Sequence, residues 1–202
     1  MRLVVSRDDI EEIAVRRSVI YENIARTVVH LRTILDGEPL KVLFQLKFER
    51  CAHDPLTGEV MNLIEHINQS WTCLTSFSAV EFLFERHTDI SKFLLNLGVT
   101  SGFDIEDLFE PEPGDGCLIG SEVFGTQVAA EVYSATSVTG SRKLARERRK
   151  LVTTSGARQK YVFFFVPGVD PGRHENLEAN AGNLEVWSLS DPSASLRRGA
   201  GQ

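Results

Sequence analysis

The chain has 202 residues, of which 42% are hydrophobic and 25% are charged, and its formal net charge is −6. This composition is typical of a globular protein with a substantial core, and it argues against a protein that coats nucleic acid through overall positive charge. No apolar run approaches the roughly 18 residues needed to cross a bilayer, and acidic residues follow the amino terminus too closely for a signal peptide. We therefore expect a cytoplasmic protein that does not enter a membrane.

The first predicted element is a long helix. Asp8 and Asp9 favour a first helical turn, and apolar residues then recur at helical spacing as far as Leu35. The residues DGEP at 36–39 end the pattern. A long amphipathic helix near a terminus packs either on its own domain or on a second subunit, so a homodimer through this helix is one partner that the sequence suggests.

A β-hairpin is predicted next. Residues 40–53 are rich in strand-forming side chains, and residues 54–59, DPLTGE, have the chemistry of a turn. Residues 60–69 are then expected to form a second short strand or a loop. The sequence therefore predicts that residues 1–68 form an extension of helix and hairpin ahead of the main domain.

For the main domain, residues 69–190, the sequence predicts a mixed α/β sheet with helices packed on it. Two helices are expected first, at about 69–87 and 88–98, and a third after Ser141 as far as about Thr153. An exposed loop rich in proline and glycine and a disordered tail at 191–202 complete the chain. The predicted strands are FDIEDLF at 103–109, CLIGSEVFG at 117–125, QVAAEVYSAT at 127–136, QKYVFFFVP at 159–167 and NLEVWSLS at 183–190.

Two acidic residues of this sheet have the placement that a metal site requires. Side chains alternate across a strand, so Asp104 lies on one face of its strand, and Glu131 shares a face with Tyr133 on another. If the two strands are neighbours, the two carboxylates converge at one edge of the sheet. There they could bind Mg²⁺ through oxygen, and the metal would polarise a phosphate and lower the pKa of an attacking water.

The order of these segments resembles that of the PD-(D/E)XK nuclease superfamily, and within it the branch of modified-DNA restriction endonucleases. The resemblance covers roughly Val80 to Pro167: a Gly-Phe-Asp-Ile sequence at 102–105, an apolar strand with Glu131, a basic helix and a hydrophobic strand. It implies a restriction-endonuclease-like mixed sheet flanked by helices, Mg²⁺ as cofactor, and DNA rather than RNA as the nucleic acid. By that resemblance Asp104 and Glu131 are metal ligands, and Glu81 matches the acidic residue of the preceding helix.

Tyr133 departs from the family pattern, because it occupies the position of the lysine in the E-x-K motif. A phenol has a pKa of about 10 and carries no positive charge at neutral pH. Two interpretations are open. Either another ammonium group, from Lys143 or Lys160, supplies the missing charge, or metal-dependent cleavage has been lost and the fold now binds or scaffolds.

A basic helix follows the strand that carries Glu131. Residues 142–150 contain six basic residues and one acid, which gives a local net charge of +5. Arg142, Lys143 and Arg146 share one side of a helix by their spacing, and with Arg149 they predict a track for phosphate groups.

The sequence therefore predicts a nuclease-like protein that processes or binds nucleic acid, with a degenerate site for an Mg²⁺-dependent endonuclease, a hydrolase. The competing class is an interaction or scaffold protein that keeps the fold without the chemistry. A third class is a small-molecule enzyme that uses Cys51 and His53 as a thiol–imidazole pair. That class has less weight, because the other members of such a site are not visible in the sequence.

Overall fold

The computed structural model describes residues 2–96, 119–121, 128–138, 143–153, 157–178 and 182–192. None of the helices in these residues is both long and apolar enough to cross a membrane. The helices are α1 (Glu11–Ile34), α2 (Pro39–Phe48), α3 (Leu63–Arg86) and α4 (Lys143–Thr153). The strands are β1 (Arg2–Ser6), β2 (Ala52–His53), β3 (Val60–Met61), β4 (Lys92–Asn96), β5 (Ile119–Ser121), β6 (Val128–Ser134), β7 (Gln159–Phe165), β8 (Gly172–Arg173) and β9 (Leu184–Ser188).

Two compact units make up the chain. The sheet unit contains Met1–Ile10 and Leu74–Gln202, and the helical unit contains Glu11–Cys73. The boundary between Cys73 and Leu74 lies inside α3. This arrangement differs from the predicted extension of residues 1–68, because residues 2–6 form β1 and pair with β4 in the sheet.

Within the described residues, the sheet unit has seven strands in the order β1-β4-β5-β6-β7-β9-β8. The neighbours from β1 to β6 pair antiparallel, whereas β6, β7 and β9 run parallel to one another. A final antiparallel strand, β8, lies beside β9. This is the mixed α/β sheet that the sequence predicts.

Helices cover both faces of this sheet. On one face, Phe82 of α3 packs against three rings of β7 and β9, with centroid distances of 5.2 Å to Phe163, 6.4 Å to Tyr161 and 4.9 Å to Trp187. On the other face, α4 joins a core cluster with alternate residues of the same strands. The buried members of that cluster are Ala129, Tyr133, Leu144, Leu151, Ala157, Val162, Phe164, Val166, Leu184 and Val186.

The strand predicted at residues 40–53 is wrong for most of its length, because Pro39–Phe48 form α2, whereas Ala52–His53 do form a strand, β2. The Glu38 carboxylate accepts hydrogen bonds from the backbone N–H groups of Leu40, at 3.1 Å, and Lys41, at 2.9 Å. Proline at the first position of a helix is favourable, since its missing N–H would have no partner there. The residues DGEP therefore start a second helix as well as ending the first.

The helix predicted at residues 88–98 is also wrong, because Lys92–Asn96 form β4. This strand pairs with β1 on one side and β5 on the other, and its Phe93 and Leu95 are fully buried. The Arg7 guanidinium donates to the carbonyl oxygens of His87 and Ile90 just beyond α3. Tertiary pairing thus outweighs the local helical pattern.

Two smaller differences concern element boundaries. The predicted helix at 69–87 begins earlier, at Leu63, because the Asn62 side chain accepts a 2.9 Å hydrogen bond from the backbone N–H of Glu65. The loop predicted between the last two long strands contains the short strand β8 and a 3₁₀ turn at Glu175–Leu177. Strands β6, β7 and β9 and helix α4 lie where the sequence predicts them.

A hairpin turn joins β2 and β3 in the helical unit. One Asp54 carboxylate oxygen accepts hydrogen bonds from the backbone N–H groups of Leu56, at 2.9 Å, and Thr57, at 2.8 Å. Gly58 has φ of 74°, a conformation that glycine adopts without steric cost. The turn is therefore fixed by the aspartate and the glycine together.

Buried polar groups tie this hairpin to α1 and α3 within the helical unit. The backbone N–H of His53 donates to the Thr27 hydroxyl at 3.1 Å, and the Asn23 amide donates to the carbonyl of Pro55 at 3.1 Å. His66 donates from Nδ1 to the carbonyl of His53 at 2.5 Å. Because His66 is buried, its neutral form is the one that this packing favours.

Acidification is expected to lower the free energy of unfolding through His66. Burial lowers the pKa of His66 from its ordinary value of 6.5, so below that pH the unfolded chain takes up a proton that the folded chain resists. Stability is therefore full above pH 6.5 and declines as the pH falls. Urea unfolding from about pH 7.5 to about pH 5 measures the decline.

Two variants isolate the contribution of His66. In His66→Gln the amide can still donate to the His53 carbonyl but does not titrate, so this variant should lose less stability on acidification than the wild type. His30→Gln changes an exposed histidine of α1 and should keep the wild-type dependence. Equal dependence on pH in all three proteins would contradict the assignment to His66.

Candidate functional site

The predicted site residue Glu131 lies on β6, on the face of the sheet that α4 covers. It is 1% exposed, and Ala129 and Tyr133, the residues on either side of it on that face, both belong to the core cluster. In the register of the parallel pair, Glu131 lies opposite Val162 of β7. Burying a carboxylate in such an apolar layer costs free energy unless polar neighbours interact with it. The charged groups near Glu131 therefore determine how the burial is tolerated.

Lys160 lies on the same face as Glu131, at the start of β7. It is opposite Ala129 in the register and is 8% exposed. Glu131 and Lys160 are therefore diagonal neighbours on adjacent strands, a separation of about 7–8 Å that a long side chain can span. Of the two lysines that the sequence offers in place of the missing E-x-K lysine, Lys160 is the one on the face of Glu131.

Lys143 occupies a different position, at the first residue of α4. Its ammonium group donates to the backbone carbonyl of Ser134, at the carboxyl end of β6, with a distance of 3.3 Å. This hydrogen bond holds the start of α4 at the end of the strand. The positive charge of Lys143 thus lies beyond Tyr133 along β6.

Glu147 is a second buried carboxylate in this layer, and sequence reasoning missed it. It is 4% exposed and lies on α4 between Leu144 and Leu151, which both belong to the core cluster. An ion pair of 2.8 Å joins it to Arg146. The signal was present in the sequence, because a glutamate three residues after one leucine and four before the next lies on the apolar side of a helix.

Tyr133 behaves as a core residue. Its ring stacks on Phe164 at 5.8 Å, and its hydroxyl has no hydrogen-bond partner among the residues that the structure describes. Burial, reinforced by the negative charge of Glu147, raises the pKa of Tyr133 to about 12. The phenol therefore stays protonated at neutral pH and cannot supply the charge of the family's lysine.

The basic residues of α4 whose side chains the structure describes divide into two groups. Lys143 and Arg148 are bound to the fold, Lys143 through Ser134 and Arg148 through a hydrogen bond to the carbonyl of Leu177. The side chain of Arg146 is 51% exposed despite its ion pair, and Arg149 is exposed. Of the residues predicted to form a phosphate track, Arg146 and Arg149 are exposed, and Arg142 lies outside the described residues, so the track stays a prediction.

The other predicted acids are not joined to Glu131 by the structure. Asp104 and its predicted strand lie outside the described residues, so the convergence of Asp104 with Glu131 stays a prediction. Glu81 is on α3, which packs on the opposite face of the sheet through the neighbouring Phe82. The structure therefore does not bring Glu81 to the face that carries Glu131.

The described residues on their own do not fit a magnesium site. They contain no group of three or more histidine, cysteine, aspartate or glutamate side chains arranged to hold a metal ion. Of the three predicted ligands, Glu131 alone is placed on the α4 face. The two carboxylates that share this layer, Glu131 and Glu147, are both buried rather than open to water and phosphate.

Cys51 and His53 are not brought together as a thiol–imidazole pair. The Cys51 thiol approaches the carbonyl of Gln45 at 3.6 Å, whereas the His53 ring contacts the carbonyl of Gly58 through Nδ1 at 3.2 Å. Each side chain thus has its own backbone partner. The small-molecule enzyme considered for these residues has no support in this geometry.

A serine–histidine contact that the sequence did not reveal joins Ser188 and His174 at 2.8 Å. Ser188 is buried, and its hydroxyl also lies 2.5 Å from the carbonyl of Asp170. Because a hydroxyl has one proton, which it donates to that carbonyl, the His174 ring must donate to Ser188 rather than accept from it. These contacts therefore fasten the residues on either side of β8 to β9, and the histidine does not activate a nucleophile.

No protein-family model matches the chain, and neither a curated protein nor a solved structure matches it. The likeness to PD-(D/E)XK nucleases therefore rests on the residues that carry it in the sequence. What the structure adds is a mixed sheet with helices on both faces and a buried polar layer between β6 and α4.

Removing the Tyr133 hydroxyl is expected to leave the fold intact or slightly more stable. In Tyr133→Phe the ring can keep its stacking on Phe164, while a buried hydroxyl without a partner among the described residues is lost, a change of about 0–1 kcal/mol in favour of the folded state. Urea unfolding measures it. The control is Tyr161→Phe, which removes a hydroxyl 2.9 Å from His87 and should destabilise. A loss of more than about 1 kcal/mol in Tyr133→Phe would reveal a partner for that hydroxyl.

Proposed function

We propose that the sheet unit is a nuclease-like module that binds nucleic acid, DNA rather than RNA, through helix α4. The observation that carries this proposal is the placement of a strongly basic helix on the face of the sheet that holds Glu131. Helix α4 has five basic residues and one acid, a net charge of +4, in a chain whose net charge is −6. Exposed cations concentrated on one element are the electrostatic footprint of phosphate binding.

The order of the elements supports the nuclease-like part of the proposal. Strands β4, β5 and β6 run antiparallel in sequence order, α4 crosses over, and β7 returns parallel to β6. The sequence resemblance implies the same succession of a glutamate-bearing strand, a basic helix and a hydrophobic strand within a mixed sheet. The finer assignment to the restriction-endonuclease-like fold belongs to this proposal.

Binding is better supported than cleavage by the described residues. Tyr133 is a protonated core residue, Glu131 is covered by α4, and the described residues do not assemble a magnesium site. Lys160 offers the positive charge that a displaced catalytic lysine would require, because it lies on the face of Glu131. Cleavage therefore depends on Asp104, on a metal, and on access to a carboxylate that is buried in this state.

The scaffold alternative has one specific observation in its favour. A buried Glu131 beside a buried Lys160 can serve the fold alone, as a pair of charges that offset each other between β6 and β7. Under that interpretation the module retains the architecture and contacts other proteins, and α4 is a solvated helix. A measurement of DNA binding distinguishes the nucleic-acid proposal from the scaffold alternative.

Loss of the exposed arginines is expected to weaken DNA binding in a salt-dependent way. The double variant Arg146→Ala with Arg149→Ala removes two exposed cations of α4. Each lost contact with a phosphate lowers the slope of log affinity against log salt by about 0.9 for duplex DNA. Fluorescence anisotropy with a labelled duplex, in EDTA and at several salt concentrations, measures both affinity and slope.

The matched control for that experiment is Arg32→Ala, which removes an exposed arginine from the last turn of α1 in the helical unit. Its affinity and slope should equal those of the wild type. If the wild type does not bind duplex or single-stranded DNA at low salt, the nucleic-acid proposal fails and the scaffold alternative stands. Equal weakening by the control would assign the effect to net charge rather than to α4.

Plasmid nicking tests the catalytic form of the proposal separately. A metal-dependent nuclease predicts nicking with Mg²⁺ that stops in EDTA, and Glu131→Gln should lower its rate by about 100-fold or more, since the charge is removed while the shape is kept. A pure binding module predicts retarded DNA without nicking, with and without metal. Nicking that persists at full rate in Glu131→Gln would overturn the assignment of the site to Glu131.

A further inference from the structure

Helix α2 presents an apolar face to solvent that neither the fold nor the proposed DNA contact uses. Val42 is buried beneath the helix, while four large apolar residues on the far side remain exposed: Leu40 by 73%, Leu43 by 64%, Phe44 by 56% and Phe48 by 63%. Their spacing of three and four residues places them along one side of the helix. We call these four residues the α2 face.

Two of the four side chains of the α2 face contact each other. The rings of Phe44 and Phe48 contact each other with centroids 5.2 Å apart, and the Lys47 ammonium lies 5.1 Å from the centroid of Phe48. The helix itself is capped by Glu38 at its start. These contacts restrict the two aromatic rings before association, which lowers part of the entropy cost of binding.

The area of the α2 face matches the apolar part of a dimer interface. Large apolar side chains present about 150–250 Å² each when fully exposed, so the four exposures amount to roughly 500 Å². A standard interface buries about 800 Å² on each partner, of which somewhat more than half is apolar, or roughly 450–500 Å². The face is thus large enough for one such interface.

We propose that a second copy of this chain covers the α2 face, with the two α2 helices antiparallel about a two-fold axis at Phe44. Leu40 and Phe48 are each four residues from Phe44, so the axis places Leu40 of one copy against Phe48 of the other. Phe44 then meets its own equivalent. A symmetric interface of this kind uses one patch twice, as most homodimers do.

The charges around the α2 face argue against a membrane as its partner. A lipid surface fits less well, because Lys41 and Lys47 are balanced by Glu38 and Glu49 and the whole chain is acidic.

Sedimentation of the full chain tests the proposal. The wild type should form a species of twice 22.5 kDa as its concentration is raised through the micromolar range. Phe44→Glu places like charges at the axis and removes a central aromatic contact, so the dimer dissociation constant should rise by at least about 30-fold. Val15→Glu changes a residue of α1 that is 63% exposed and should leave the constant unchanged.

A cross-linking experiment supplies a second measurement. Under mild oxidation, Phe44→Cys should give a covalent dimer because the two positions meet at the axis, while Val15→Cys and the wild type should not. A wild type that stays monomeric at every concentration overturns the proposal. So does a dimer that Val15→Glu disrupts and Phe44→Glu does not, or wild-type binding to phosphatidylserine vesicles that Phe44→Glu abolishes without any dimer in solution.

Discussion

The parallel pairing of β6 with β7 is the constraint on which the candidate site depends. Two parallel neighbours cannot be joined by a tight turn, so a crossover is needed, and α4 supplies it. The crossover must lie on one face of the sheet, and here that face carries Glu131, Tyr133 and Lys160. The basic helix α4 therefore packs on a strand that carries a carboxylate, and the charged side chains between helix and strand lie in one buried layer.

Helix α4 serves the fold and the surface at the same time. Lys143 and Arg148 donate to backbone carbonyls of the sheet unit, whereas Arg146 and Arg149 reach the surface. A count of its charges therefore overstates what it can offer to phosphate groups. Glu147, the one acid of this helix, is buried in the apolar layer, where it forms an ion pair with Arg146. Part of the positive charge of Arg146 is therefore already offset within the fold.

The parts of the fold that the sequence predicts are those whose pattern is strong over a whole element. Strands β6, β7 and β9 are apolar runs between turn residues, and α4 has an unmistakable amphipathic repeat. The errors fall at β4 and α2, where a short apolar run fits either periodicity and a distant strand or a cap decides. For the site, alternation predicts the face that Glu131 shares with Tyr133. The choice of Lys160 over Lys143 required the register of β6 and β7, which the sequence does not reveal. Glu147 was counted only as an acid in a basic segment.

The position of β1 has a practical consequence for anyone who handles this protein. Among the strands that the structure describes, residues 2–6 lie at one edge of the sheet; their partner is β4, which in turn pairs with β5. Trimming these few residues would leave one side of β4 with unsatisfied backbone groups, the kind of open border that recruits strands from other molecules and leads to aggregation. Affinity tags are therefore better joined through a spacer than by replacing this segment.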